Sequence, residues 1–398
     1  MKKLTALLAS ATMALSLVGC STGKTYTGEA YGHDKENPVK VTLTIKDKTI
    51  TKVEVDASHE TNGIGSKAAE TMPGAIVAAN SLDVDGVSGA TQTSKAIIEA
   101  ATAALKQAGL EPSDLTSKKT TATKAKDIEE TVDVVIVGAG GAGMTAAITA
   151  SKAGSKVVII ESQPIVGGNT VRSTGGLNAA KTPYQDKNEF KEAAGVEKTL
   201  KTAAEKFADN ETITALAATV KSQWDEYQAN PQGYFDSPEL MALDTMIGGK
   251  GKNDPELVKI LTQNSAGAIE WLASIGAELK SVGAAGGASV KRIHRPVDEN
   301  GKTAAVGAYI VPILEKNVHD AGVEVITDTT AKKLLTENGK VVGVEAEGKD
   351  GNKVVIHAKS VIMATGGFGA NAEMVEKYKP ELKGFATTNA EGAQGQGI

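Results

Sequence analysis

Apolar positions mark out the elements of this chain before composition is considered. Leu4 to Val18 is an apolar stretch directly behind the charged pair Lys2 and Lys3. Val39, Val41, Leu43 and Ile45 alternate with polar residues and predict a half-buried strand, and Ile50 to Val55 continues the pattern. Ser66 to Ala79 predicts a helix interrupted at Met72-Pro73, and the alanine-rich run Ser94 to Leu105 a second helix. Thr131 to Val137 is a continuous apolar run of strand length. A helical pattern from Met144 to Ala153, closed by Gly154, and a second apolar strand, Lys156 to Glu161, follow it. Further on, Gly307 to Asp320 reads as a helix and Val323 to Ile326 as a strand. Val341–Glu347 and Lys353–Ala358 read as a hairpin about Gly351, and Ser360 to Gly367 as a buried strand ending in small residues. Strands alternating with helices predict an α/β fold.

The ends of these elements divide the chain. Residues 1–19 read as a signal segment, since the apolar stretch is of h-region length and too short for a comfortable membrane span. Residues 24–110 form a small first domain. Residues 111–130, nearly all Ser, Thr, Lys and Ala between 117 and 126, read as a flexible linker. That linker is either a mechanical tether or a plain spacer. Residues 131–398 form the second domain. Charged residues are 23%, hydrophobic residues 41% and the net charge −5, a balance that does not point to a nucleic-acid partner. Cys20 is the single cysteine, which excludes an internal disulfide and a Cys-x-x-Cys-His haem site.

The chemistry gathers at glycine-rich turns. Gly138-Ala139-Gly140-Gly141-Ala142-Gly143 lies between a strand and a helix. There Gly138 permits the turn, Gly140 and Ala142 let a pyrophosphate approach, and Gly143 lets helix pack on strand. Glu161, at the end of the next strand, is placed to bind a ribose hydroxyl. A second run of small residues contains Asn169, Thr170, Thr174, Gly175 and Gly176, suited to the long narrow channel that FAD needs and NAD does not. In the first domain, Asp85-Gly86-Val87-Ser88-Gly89-Ala90-Thr91 exposes a hydroxyl among small neighbours, with Thr93, Ser94 and a helix start beyond to receive a phosphate.

These motifs carry resemblances. The Ser88–Thr91 segment, with Ser58–Gly65 and Met72-Pro73, resembles the FMN-binding domain family. The resemblance implies FMN held on Thr91 as a covalent phosphoester, attached by a flavin transferase with a metal that Asp85 helps to hold. Leu17-Val18-Gly19-Cys20 resembles a bacterial lipobox and implies lipidation of Cys20 and anchoring at the extracytoplasmic face of the cell membrane. From Asp133 onward the chain is similar to the flavocytochrome c-type fumarate reductases and urocanate reductases, FAD-dependent flavoproteins also akin to succinate dehydrogenase. That similarity implies an α+β FMN-binding domain followed by a Rossmann-like FAD-binding domain. It also implies non-covalent FAD contacted by Ala331 and Gly366, and a departure at Gln396, where the family has aspartate.

The implied reaction passes electrons from a membrane dehydrogenase or quinone pool to FMN, then FAD, then the C=C of an unsaturated carboxylate such as urocanate or fumarate. The family's catalytic arginines and histidines lie in later segments, so no catalytic residue and no metal site is assigned here. The chain, ending at Ile398 within a glycine-rich pattern, is expected to be an incomplete and inactive form lacking the capping domain. Arg292, His294 and Arg295 read as a basic surface turn. His33, His319 and His357 read as solvated, and His59 as an open case near FMN. The alternative reading is a flavin-bearing electron-transfer lipoprotein without reductase activity. The lipobox and FMN domain argue against a ketosteroid dehydrogenase.

Overall fold

Alternation does in space what it predicts in sequence. In a computed structural model of the protein, which describes residues 23–87, 89–117, 125–298 and 300–398, strands β1 (Lys24–Ala30), β2 (Val39–Lys46) and β3 (Thr49–Asp56) form an antiparallel sheet in that order. Val39, Val41, Leu43 and Ile45 turn to the covered face, where helices α1 (Gly65–Ala79) and α2 (Thr91–Gln107) pack. Met72, Ile76 and Ile97 are fully buried there, each worth about 1.5–3 kcal/mol of transfer free energy. That burial holds α1 together through Pro73, so the predicted interruption does not occur. The strand β1 escapes the sequence pattern because its residues are mostly exposed.

The segment 1–19, Cys20, Ser88 and residues 118–124 of the predicted linker lie outside the described residues. The linker's flanks are ordered differently from expectation. Pro112–Asp114 is a 3-10 turn with a capping box, Leu115 is buried, and the next strand starts at Ile128 rather than Thr131.

The second unit is built on a six-stranded sheet. Strand β4 (Ile128–Val137) leads through the glycine turn into α3 (Gly141–Lys152) and β5 (Val157–Ile160). The chain then forms α4 (Gly168–Val171), β6 (Leu177–Asn178), and helices α5 (Ala193–Lys206), α6 (Glu211–Ala229), α7 (Pro238–Gly248) and α8 (Pro255–Ser274). Short strands β7 (Ser281–Gly283) and β8 (Ile293–Arg295) complete a small sheet with β6, and α9 (Val306–Asp320) returns to the large one. There β9 (Glu324–Ile326), β10 (Thr329–Glu337), β11 (Lys340–Gly348) and β12 (Lys353–Met363) follow, then α10 (Ala372–Tyr378). The order is β10-β11-β12-β4-β5-β9, with β12, β4, β5 and β9 parallel. The two apolar segments Lys353–Ala358 and Ser360–Gly367 are therefore largely one strand, its first half pairing with both β11 and β4 and its second half with β4.

One core lies between this sheet and α3, α8 and α9, and a second on the sheet's other face. Helices α5 to α7 hold a separate aromatic-rich cluster around Trp224, Phe235 and Leu243, which has no counterpart in the sequence prediction.

Candidate flavin sites

The carboxyl ends of β4, β5 and β12 converge, and the glycine turn opens there, as expected for ligand sites of parallel sheets. At Gly138 the backbone takes φ +106°, and a Cβ would collide with the Ala364 carbonyl, so only glycine lets β4 turn beside β12. Gly143 faces the Gly138 carbonyl at still closer range and serves helix packing rather than the cavity. Gly140, Gly168, Gly366 and Gly367 instead face open space, where an added Cβ would meet nothing within 4 Å. Bare backbone lining a cavity of about 790 Å³, at the N-terminus of α3, suits the pyrophosphate and ribityl of a flavin dinucleotide.

The predicted residues divide. Gly138, Gly140, Ala142, Glu161, Asn169, Thr170, Ala331 and Gly366 line the cavity, as does Gln396. Gly143, Thr174, Gly175 and Gly176 do not. Gly176 lies under β8, where a Cβ would meet Ile293 and Arg295 side chains. Sequence reasoning found Ala331 but missed its neighbours on β10, including Lys332 and Lys333, and the turn containing Ala390, Gly392 and Ala393. Neither bears a motif.

Glu161 is buried and already engaged. One carboxylate oxygen accepts from Ala139 N–H at 2.7 Å and the other from Gln163 N–H at 2.8 Å. It therefore braces the glycine turn from behind while bordering the cavity. Thr170 Oγ1 accepts from Gly141 N–H at 3.1 Å, and Asn169 bonds Asn389 and Ala390 N–H, tying α4 to the 389–390 loop.

Thr91 is the first residue of α2 and is exposed; Ala90 precedes it with no side-chain cap. The first N–H groups of a helix have no intrahelical acceptor, and its dipole favours an anion there. Thr91 borders a cavity of about 570 Å³ with Met72, Gly86, Lys95, Ile98 and Glu391. Thr93 and Ser94, expected to meet the phosphate, are both buried, and of the two Ser94 lines this cavity. Thr93 donates to Glu60, and Ser94 Oγ accepts from Val87 N–H at 3.1 Å. Glu60, buried, also accepts from His33 and Asp34 N–H groups, so it fixes the start of α2, a role that its place in the Ser58–Gly65 segment does not reveal. Asp85 is exposed beside Lys349 at 3.3 Å. His59, His33, His319 and His357 are solvent-accessible.

The basic turn is not on the surface. Arg292 is 2% exposed, bidentate on Asp236 at 2.8 and 3.1 Å and bonded to Asp244 at 2.7 Å. Burial opposes its charge, but the two carboxylates outweigh burial and keep it protonated. Burial pushes the Asp236 carboxyl up, and Arg292 pulls it back. Buried His294 lies 2.6 Å from Thr182 Oγ1 and 2.9 Å from the Arg292 carbonyl, and burial lowers its pKa below 6.5. Arg295 is partly buried, with its Nε unpartnered among the described residues. Paired charges of this kind hold structure, and Arg292 is not free to clamp a substrate.

Comparison with known proteins agrees with this geometry. Residues 34–106 match the FMN-binding domain, and residues 133–235 and 227–398 match the FAD binding domain. The chain is 35% identical over 392 residues to an NADH:acrylate oxidoreductase of Vibrio harveyi, covering 93% of this chain and 38% of that protein. It is 32% identical over 383 residues to a urocanate reductase of Eggerthella lenta, covering 93% of this chain and 54% of that one. Among solved structures, the open conformation of a flavocytochrome c3 fumarate reductase matches with a TM-score of 0.52 at 33% identity, over 67% of this chain and 39% of that one. The chain thus spans between about two fifths and about half of the length of these relatives.

Proposed function

The chain belongs to the FAD binding domain family, with an FMN-binding domain ahead of that domain, and from this we propose a two-flavin reductase of small unsaturated carboxylates. FMN is held covalently on Thr91 and FAD non-covalently in the cavity above β4, β5 and β12. One observation carries the reading. Ala390, Gly392 and Ala393 line the dinucleotide cavity, while Glu391, between them, lines the cavity at Thr91. A single turn thus forms part of the wall of both sites, the arrangement needed for electrons to pass from one flavin to the other.

Bound FAD would supply a hydride equivalent to the C=C of an acid such as acrylate, fumarate or urocanate, with a proton completing the saturated product. The chain's own residues bind and orient. The glycine turn and α3 offer N–H groups to the pyrophosphate, Glu161 keeps that turn in place, and the start of α2 holds the FMN phosphate at Thr91. Lys2, Lys3, the apolar segment behind them and Leu17–Cys20 support lipid anchoring at Cys20 on the extracytoplasmic face. The electron donor is then a membrane dehydrogenase or the quinone pool, and a flavin transferase completes maturation.

Two measurements test this. After co-expression with a flavin transferase, the denatured protein should show a fluorescent band that Thr91→Ala abolishes; a band surviving that change removes Thr91 as the attachment point. Anaerobically reduced protein of the relatives' full length that includes this chain should be reoxidised by at least one of the three acids and not by their saturated counterparts. Reoxidation by none of them favours a flavin-bearing electron carrier instead.

A further inference from the structure

Three consecutive residues connect the dinucleotide turn to two loops of the N-terminal unit. Thr170 Oγ1 accepts from Gly141 N–H inside the cradle. At the next residue, a side chain added to Gly63 would meet Val171 Cγ2 at 3.1 Å and Pro312 at 3.5 Å, so the Ser58–Gly65 loop seats bare backbone on Val171. One residue further, Arg172 Nη2 donates to the Gly89 carbonyl at 3.4 Å. Gly89, two residues ahead of Thr91, has φ +84°, and a Cβ there would lie 3.3 Å from Arg172 and 3.5 Å from Ile165. The positive φ favours glycine here, and any side chain would press on the end of Arg172. Beside these contacts, Lys67 on α1 pairs at 3.1 Å with Glu315 on α9, and both side chains are mostly covered. Ile64 packs into the cores of both units.

Given the two-flavin reading above, we propose that Thr170–Val171–Arg172 is an interdomain joint that docks the FMN-binding unit in the pose from which electrons cross to the FAD cradle. A unit that swings freely on its linker has no use for two loops shaped to one partner surface. Here the loop that precedes Thr91 and the loop after β3 both press on the segment that also holds the phosphate turn. The joint therefore fixes the Thr91 loop relative to the cradle, leaving the linker to supply connection. Arg172 and Lys67 act here as positioning residues.

Hydrogen–deuterium exchange on the full chain reads the joint without turnover. Arg172→Glu should speed exchange by about fivefold or more in the loops 58–65 and 84–90 while leaving β2 unchanged, as expected for local opening. Lys67→Glu should loosen the 58–65 loop by a smaller factor, and Lys67→Glu with Glu315→Lys should restore protection, a rescue that general misfolding would not allow. Stopped-flow absorbance should show slower FMN-to-FAD passage in Arg172→Glu at equal content of both flavins. Unchanged exchange in both loops overturns the joint, and unchanged transfer with loosened loops overturns its part in electron passage. If Arg172→Glu does not fold, the Lys67–Glu315 swap decides the question. Loosened loops in a chain that takes no covalent FMN uphold the docking and sink the two-flavin reading instead.

Discussion

Arg292 and His294 stand in a polar, basic run, and in sequence such a run belongs on the surface. The fold buries both, because Asp236 and Asp244 arrive from 56 and 48 residues away to neutralise the guanidinium. A buried charge costs several kcal/mol unless it is paired and hydrogen-bonded, and here each guanidinium nitrogen donates to a carboxylate. His294 has no such partner and is held neutral, its pKa depressed by burial. The sign follows from linkage. Below pH 6.5 the unfolded chain takes up a proton on this histidine that the folded protein refuses, so stability is full above that pH and falls as pH drops toward the lower folded value. Urea midpoints measured between pH 7.5 and pH 5 should therefore decline, and His294→Asn should flatten part of that decline. An identical slope in the variant would show that His294 is not the group responsible.

At the scale of elements, tertiary burial decides boundaries that local pattern leaves open. Helix α2 begins at Thr91 rather than Ser94, because Thr93 and Ser94 are drawn into the core by Glu60 and Val87. That shift moves Thr91 from a loop to a helix start, where the first N–H groups have no intrahelical acceptor. Strand β12 runs through the point where the sequence shows two separate segments, since β4 pairs with it from Val354 to Met363. Helix α1 tolerates Pro73 because Met72 and Ile76 are anchored beneath it. Its next residue, Gly74, is exposed within the same helix, with nothing within 4 Å of an added Cβ. Gly74→Ala should stabilise the N-terminal unit by about 0.5–1 kcal/mol, seen as a higher urea midpoint for that transition. A lower midpoint would mean that α1 needs glycine beside Pro73 to stay continuous.

At the scale of the whole molecule, the two candidate flavin sites lie on different hydrophobic cores, with Ile64 packed against both. Loss of one cofactor should therefore not remove the other. Glu161→Ala releases the Ala139 and Gln163 N–H groups, each bond to a carboxylate being worth roughly 1.5–3 kcal/mol. FAD retention after gel filtration should fall about tenfold or more, at 1.4 kcal/mol per decade, with the FMN content unchanged. The converse holds for Thr91→Ala, which should keep FAD. Equal FAD content in Glu161→Ala and the parent protein would show that the carboxylate neither braces nor contacts the site.

Much of this arrangement is legible in the residues alone. Alternation at Val39–Ile45, the apolar runs at Val132–Val137 and Val157–Ile160 and the intervening glycines determine an α/β chain with a dinucleotide turn, because each rests on contacts within a few residues. The family matches cover both units, at residues 34–106 and at 133–235 and 227–398. The sequence does not determine the pairing of Arg292 with Asp236 and Asp244, the role of Glu60, or the walls contributed by β10 and the Ala390–Ala393 turn. Nor does it show that Val171 and Arg172 would meet Gly63 and Gly89. Those depend on residues brought together from distant parts of the chain, where the energy comes from burying paired charge and closing one surface on another. Local pattern carries no trace of a partner that only the folded chain supplies.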